Sequence, residues 1–264
     1  KADRIALLER LYAIYERRMD DMAEVISIEM GAPIDFSKAS QAPSGTSAIE
    51  DFLNQLRKFE FEEQLDDSDN QLIYEPKGVC ALITPWNWPA NQIACKVAPA
   101  LAVGCTMVLK PSEVAPLSGY IFAEIMHQAG VPAGVFNMLN GDGPGVGTAL
   151  SQHRDIDMMS FTGSTRAGAL VSKNAASTVK RVTLELGGKS PNIILDDADL
   201  DTAVTAGVMS MYNNTGQSCN APSRMLVPAA KLAQAEAIAA EVSKSVVVGD
   251  PSRADTTMGP VVSQ

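Results

Sequence analysis

The chain has 264 residues, 46% of them hydrophobic and 20% charged, with a formal net charge of −10. That length can bury a large core in one or two domains, and the composition is that of a soluble globular protein. The acidic balance, with no basic face to offset phosphate charge, argues against nucleic acid and anionic membranes as partners, and no apolar run is long enough to span a bilayer.

Residues 3–30 read as one amphipathic helix, with Ile5, Leu8, Leu11, Ile14, Ala23 and Ile26 on its apolar face, Asp3 as candidate N-cap, and Gly31 then Pro33 as the stop. A second helix is expected from Ser47, where Ser47 and Glu50 have capping-box spacing, with Ile49, Phe52, Leu53, Leu56 and Phe59 buried. Residues 60–70 form an acidic stretch that reads as a solvated loop or edge. From Gly78 the pattern becomes alternation. Strands are expected at 79–84, 105–109, 135–139, 157–161 and 179–184, and helices at 90–103 (bent at Pro99), 117–128, 145–152 and 164–176. Strands this apolar, separated by helices, indicate a parallel sheet covered on both faces, which binds ligands beyond the C-terminal ends of its strands. Asn87, Lys110, Gly163 and Glu185 are each expected just past such an end. A third region starts at Pro191: a strand at 192–195, a helix at 199–212, a strand at 225–228, a helix at 232–244, and apolar fragments at 246–249 and 258–262. The chain stops before this second α/β layer is complete.

The four cysteines, Cys80, Cys95, Cys105 and Cys219, have no CxxC spacing, and only His127 and His153 accompany them. A zinc site is therefore not expected, and reduced thiols of a cytoplasmic protein fit best. There is no signal-peptide pattern, although Lys1 is not an initiator methionine. Three cysteines lie in apolar strand or helix contexts and read as core. Cys219 is different: it stands among Asn214, Gln217, Ser218 and Asn220, with Gly216 to permit a turn and Pro222 to block helix. That setting suits either a reactive nucleophile or an ordinary loop thiol. Glu185, between an apolar strand and Gly187-Gly188, is either a solvated strand-end carboxylate or a general base. The run 141–147 does not fit G-x-G-x-x-G in any register and reads as a turn, whereas Gly163 and Ser164 open a helix directly after a strand and offer free amides to an anion. Alone, Lys110 with Glu113 is a loop ion pair, and Trp86-Asn87-Trp88 between Pro85 and Pro89 is a packing cluster on a restricted backbone. The 12 methionines are scattered gap-fillers, and G-x-S-x-G, HExxH and P-loop patterns are absent.

Five blocks together are far more specific: Thr84-Pro85-Trp86-Asn87-Trp88-Pro89, Leu109-Lys110-Pro111-Ser112-Glu113, Ser160-Phe161-Thr162-Gly163-Ser164, Glu185-Leu186-Gly187-Gly188 and Gly216-Gln217-Ser218-Cys219. In order and spacing they resemble the aldehyde dehydrogenase superfamily, from near Arg4 to the end of the chain. The resemblance implies an α/β fold: a Rossmann-like parallel-sheet cofactor domain (residues 1–56 and 77–187), a β oligomerisation segment (57–76) and a partial catalytic domain (188–264). It implies Cys219 as nucleophile, Glu185 as general base, and Asn87 with the Cys219 amide as oxyanion hole. Thr84, Pro85, Trp86, Lys110, Ser112, Glu113, Phe161, Thr162, Gly163, Ser164, Leu186 and Gly187 would hold the dinucleotide. A carboxylate at Glu113 would repel a 2′-phosphate, which favours NAD while leaving NADP open. The implied activity is oxidation of an aldehyde to a carboxylic acid by a homodimer or homotetramer. A CoA-acylating semialdehyde dehydrogenase, an acyl-phosphate reductase and an inactive binding relative are the alternatives. The family's later Glu-x-Phe-Gly-Pro block is missing before Gln264, and Met258-Gly259-Pro260 is a poor substitute, so the chain is expected to be shorter than the family at both ends.

Overall fold

In a computed structural model the described residues are 1–66 and 69–263. Two helices, α1 (Ala2–Arg17) and α2 (Met19–Met30), replace the single helix expected at 3–30. The break falls at Arg18, whose guanidinium bonds Asp21 and, 2.9 Å away, Glu124 of a later helix. Both halves bury the same face, so apolar periodicity could not reveal the break. Asp3 lies inside α1 rather than capping it, while Gly31 ends α2 in the left-handed conformation as expected.

A short helix α3 (Ile34–Phe36) runs through a π turn, Ser37–Gln41, into α4 (Ala42–Lys58). The start expected at Ser47 is thus corrected: Ser47 is exposed in mid-helix. Pro43 sits just after the π turn, and Gly45 lets the Tyr15 hydroxyl approach to where a Cβ would stand. An exposed antiparallel hairpin follows, β1 (Glu62–Gln64) with β2 (Gln71–Ile73). Asp67 and Ser68 of the expected acidic stretch lie outside the described residues.

The main sheet is formed by β3 (Val79–Ile83), β4 (Thr106–Lys110), β5 (Phe136–Met138), β6 (Met158–Gly163) and β7 (Arg181–Leu186). All are parallel, in the order β5-β4-β3-β6-β7. Their connections carry α5 (Pro89–Val103), α6 (Leu117–Gln128), α7 (Thr148–Gln152) and α8 (Thr165–Ala175). Alternate residues of β3 face opposite layers. Cys80 and Leu82 join the core made with α1, α2, α4, α5 and α6, while Ala81 and Ile83 join the one made with α7 and α8. Strand order reverses between β4 and β6 on either side of β3, which opens a crevice beyond the ends of β3 and β6.

A second, smaller layer pairs β8 (Pro191–Ile193) with β9 (Arg224–Leu226) in parallel, backed by α9 (Leu200–Tyr212) and α10 (Leu232–Ser243). Its other face leaves Ile193, Leu195 and Leu226 exposed. Among the described residues no helix is long and apolar enough to cross a membrane, and no group of three or more metal-type side chains is clustered.

Candidate active site

The Asn87 turn leaves β3 and the cysteine loop leaves α9, yet several hydrogen bonds join them. The Asn87 side-chain amide donates to the Gln217 carbonyl at 2.8 Å, and the Asn214 amide donates to the Asn87 carbonyl at 2.8 Å. The Trp88 indole N–H donates to the Ser218 hydroxyl at 2.8 Å. Asn214 and Thr215 hold left-handed backbone angles, φ 53° and 58°, so the chain reverses sharply before Gly216. Cys219 follows on an exposed surface. Its position past the end of a helix agrees with the sequence reading.

The other cysteines differ from it in setting. Cys80 and Cys105 are buried, and burial together with the neighbouring Cys105 pushes the Cys80 thiol up to about 12. Cys95, expected in the core, is exposed on α5, because its position falls between the buried pairs Ile93-Ala94 and Lys96-Val97. Exposure therefore does not single out Cys219, but its amide-lined loop does.

Glu185 is exposed and lies inside β7, paired with Thr162 of β6. The expected position just past the strand is corrected: β7 continues through Leu186, and Gly163 likewise closes β6 from within. Three residues beyond Glu185, a Cβ on Gly188 would stand 3.1 Å from the Cys219 carbonyl oxygen. The glycine thus brings the outgoing end of β7 against the cysteine backbone.

Beneath them lies a residue that the sequence reading passed over. Lys96 of α5 is buried, and its ammonium donates to the Ser160 hydroxyl at 2.9 Å. Burial pushes its pKa down to about 8, against the opposing charge of Glu185. A lysine inside the apolar run Ile93-Ala94-Lys96-Val97-Ala98 was the available signal.

The residues expected to hold a dinucleotide gather at the crevice, in several different states. Thr84 and Thr162 follow the paired residues Ile83 and Phe161, and both hydroxyl oxygens are buried without a partner among the described residues. Pro85 and Trp86 are half-buried in the turn after Thr84. Lys110, at the end of β4, is buried and donates to the Pro111 and Gly141 carbonyls at 2.8 and 2.7 Å and to Glu113 at 3.1 Å. Those three bonds engage every donor an ammonium has. Ser112 is also turned inward, accepting from the Val114 amide. Glu113 is half-exposed. Burial raises its pKa, but its own backbone N–H and the Lys110 ammonium more than offset this and hold it below the usual range.

A cleft of about 440 Å³ opens beside Glu113, lined also by Ile83, Phe161, Arg166 and Asn174. Gly143, Pro144 and Gly147 form part of its wall, with the turn held by Asp142, which accepts from the Gly145 amide at 2.7 Å. The glycine run is the turn expected, and it borders the cleft. Phe161 is buried, and a Cβ at Gly163 would collide with its ring at 2.7 Å. Ser164 caps α8, its hydroxyl accepting from the Ala167 amide at 3.2 Å. Leu186 packs over Gly168, and Gly187 is exposed with open space beside it. The strand ends therefore carry two orphaned hydroxyls, a helix N-terminus and an ionised carboxylate.

The model of the aldehyde dehydrogenase family matches residues 1–264. A 3-succinoylsemialdehyde-pyridine dehydrogenase from a Pseudomonas species is 58% identical over 264 residues, covering 100% of this chain and 55% of the relative. A putative aldehyde dehydrogenase from Staphylococcus haemolyticus is 44% identical over 262 residues, again covering 55% of the relative. Among solved structures, an aldehyde dehydrogenase from Bartonella henselae superposes with a TM-score of 0.97 at 51% identity, covering 100% of this chain and 56% of that one. Aldehyde dehydrogenase C from Pseudomonas syringae, a cysteine-to-alanine mutant solved with NAD+ and octanal, gives 0.97 at 50% identity over 99% of this chain and 53% of its own. The chain thus spans about half the length of the curated relatives it matches. Matched from end to end by one family model, and sharing half or more of its residues with relatives of the same fold, the chain belongs to the aldehyde dehydrogenase family.

Proposed function

We propose that the chain carries the catalytic and cofactor-binding half of an NAD-dependent aldehyde dehydrogenase that oxidises an aldehyde to a carboxylic acid. One observation carries this reading: the Asn87 amide is locked to the cysteine loop at 2.8 Å while the thiol stays exposed. An Asn side chain has two N–H donors. One is held by the Gln217 carbonyl, so the other has a fixed direction and is free for a developing oxyanion. The Cys219 thiolate attacks the carbonyl carbon, and the oxygen gathers charge against the Asn87 N–H and the Cys219 amide. Bound NAD supplies the acceptor for the hydride that leaves this adduct. The resulting thioester on Cys219 is opened by water, from which Glu185 takes the proton. Lys96, buried on α5, is the cation whose charge interacts with Glu185.

The cofactor assignment is supported by the orphaned Thr84 and Thr162 hydroxyls, by the N-terminus of α8 directly after β6, and by the NAD+ found in the Pseudomonas syringae relative. Glu113, held ionised at the cleft, favours a free ribose 2′-hydroxyl over a 2′-phosphate. Lys110 would exchange one of its present bonds for a ribose hydroxyl. We divide the chain as the sequence suggested, at 56/57, 76/77 and 187/188. The exposed hairpin, with Leu72 and Ile73 outward, is the segment through which two or four copies would pair. An exposed nucleophilic thiol among four free cysteines fits a reducing, cytoplasmic setting.

The test follows NADH absorbance with aldehydes, in the presence and absence of CoA. Turnover is expected without CoA, lost in Cys219→Ala and slowed after a first burst in Glu185→Gln. Oxidation that requires CoA, or that persists in Cys219→Ala, overturns the assignment.

A further inference from the structure

The buried contacts around the Asn87 turn lead to a residue on a distant stretch of chain. Gln41 closes the π turn before α4 and is fully buried. Its side-chain amide donates to the Asn87 carbonyl at 3.0 Å and to the Asn214 side-chain oxygen at 2.9 Å. Asn214, also buried, sends its own amide to the same Asn87 carbonyl and, at 3.3 Å, to the Gln217 carbonyl. Asn87 returns a bond to Gln217 at 2.8 Å. Three segments far apart in sequence therefore close a ring of hydrogen bonds at the base of the loop that carries Cys219.

The ring borders a strained stretch, Asn214 and Thr215. Asn tolerates the left-handed conformation, but Thr215 beside it is β-branched and is rarely found there. Two such residues in succession persist only where the surroundings hold them. Gln41 holds the first of them by its side chain, and the Thr215 hydroxyl finds the Gly259 carbonyl at 3.4 Å. We propose that Gln41 is a positioning residue, which through Asn214 sets the reversal of the cysteine loop and through the Asn87 carbonyl sets the direction of the Asn87 amide. This deepens the proposed function and rests on it for the role of the amide. The link between Gln41 and the loop can be tested without any turnover.

The π turn supports the assignment. An extra residue in a helical turn is frequently found at functional sites, because it re-aims one side chain without ending the helix. Here it aims an amide inward in a stretch whose neighbours Lys38, Ala39 and Ser40 stay at or near the surface.

The test compares Gln41→Met, which keeps the volume and removes the donors, with the parent chain. The chain's two tryptophans, Trp86 and Trp88, both lie in the Asn87 turn, so selectively excited tryptophan fluorescence reports this region. The expected result is more acrylamide quenching and hydrogen exchange about tenfold faster at the Gln217 and Ala221 amides, the effect of one lost net hydrogen bond. Exchange within α4 and α5 should stay as in the parent. Where aldehyde turnover is measured, kcat falls while KM holds. Unchanged quenching and loop exchange overturn the proposal, as does a uniform rise in exchange across α4, which marks a merely structural residue. Should Gln41→Met not fold, Asn214→Gly tests the same link from the other side, since glycine keeps the left-handed backbone and loses the amide. It must give the same local quickening, and its absence is equally fatal. Failure of Cys219→Ala to stop oxidation would instead sink the enzymatic reading and leave these loop measurements standing.

Discussion

The main sheet and the small β8–β9 layer follow the same α/β grammar with different results. Helices cover both faces of the five-stranded sheet, and the largest fully buried side chains, Tyr15, Phe122, Ile93 and Leu109 among them, all belong to it and its helices. The two-stranded layer has helices on one face only, so Ile193, Leu195 and Leu226 remain 61%, 62% and 52% exposed. Parallel strands are stable when both faces are covered, and here only one region meets that condition. The cysteine loop hangs from the weaker region. What steadies it comes from the stronger one, through Asn87, Trp88 and Gln41. The site lies along this seam because the sheet supplies rigidity and the loop supplies an accessible thiol.

Truncations should separate the regions most. Ile93→Ala in α5 is expected to cost about 2–5 kcal/mol in urea unfolding, because a cavity remains in a closed core. Leu226→Ala on the open face should change stability by no more than about 0.5 kcal/mol. Equal costs would break the contrast.

Lys96 gives the next effect. Its folded pKa of about 8 lies below the usual lysine value of 10.5, so between those values the unfolded chain binds the extra proton. The folded state should therefore gain stability as pH rises from about 8 to 10.5, relative to Lys96→Met, with a constant difference below that window. A flat difference would mean that Glu185 and Ser160 fully compensate the buried charge.

Helix caps compare the two regions at their ends. Ser164→Ala should cost about 1 kcal/mol through α8. Asp199 caps α9 in the open layer, accepting from the Thr202 amide at 2.8 Å, and the Thr202 side chain together with that amide holds its pKa below the usual value of 3.8. Its contribution is present above that value and fades as pH falls through the depressed one, so the penalty of Asp199→Ala should vanish in acid. Comparing the unfolding midpoints of both variants over pH sharpens how far the small layer unfolds by itself.

Several elements were legible because their signals are local. The helix at Leu117–Gln128 matches its expected bounds, since Gly130 and Pro132 mark its end. The break at Arg18 was hidden because both helices bury the same face. Gln41 gave no sign of itself, lying among Ser, Ala and Pro residues that read as a connection. Cys95 misled because apolar neighbours do not reveal which face of a helix meets solvent.

The sequence by itself determined the alternation of strand and helix, the family, and the residues worth attention at each strand end. Periodicity, turn residues and short motifs act over a few positions and survive in one dimension. The tertiary structure alone decided that Gln41, Asn87 and Asn214 share one ring, that Lys96 lies below Glu185, and that one sheet is closed while the other is open. Each of these depends on groups brought together by burial, and burial is a property of the folded whole.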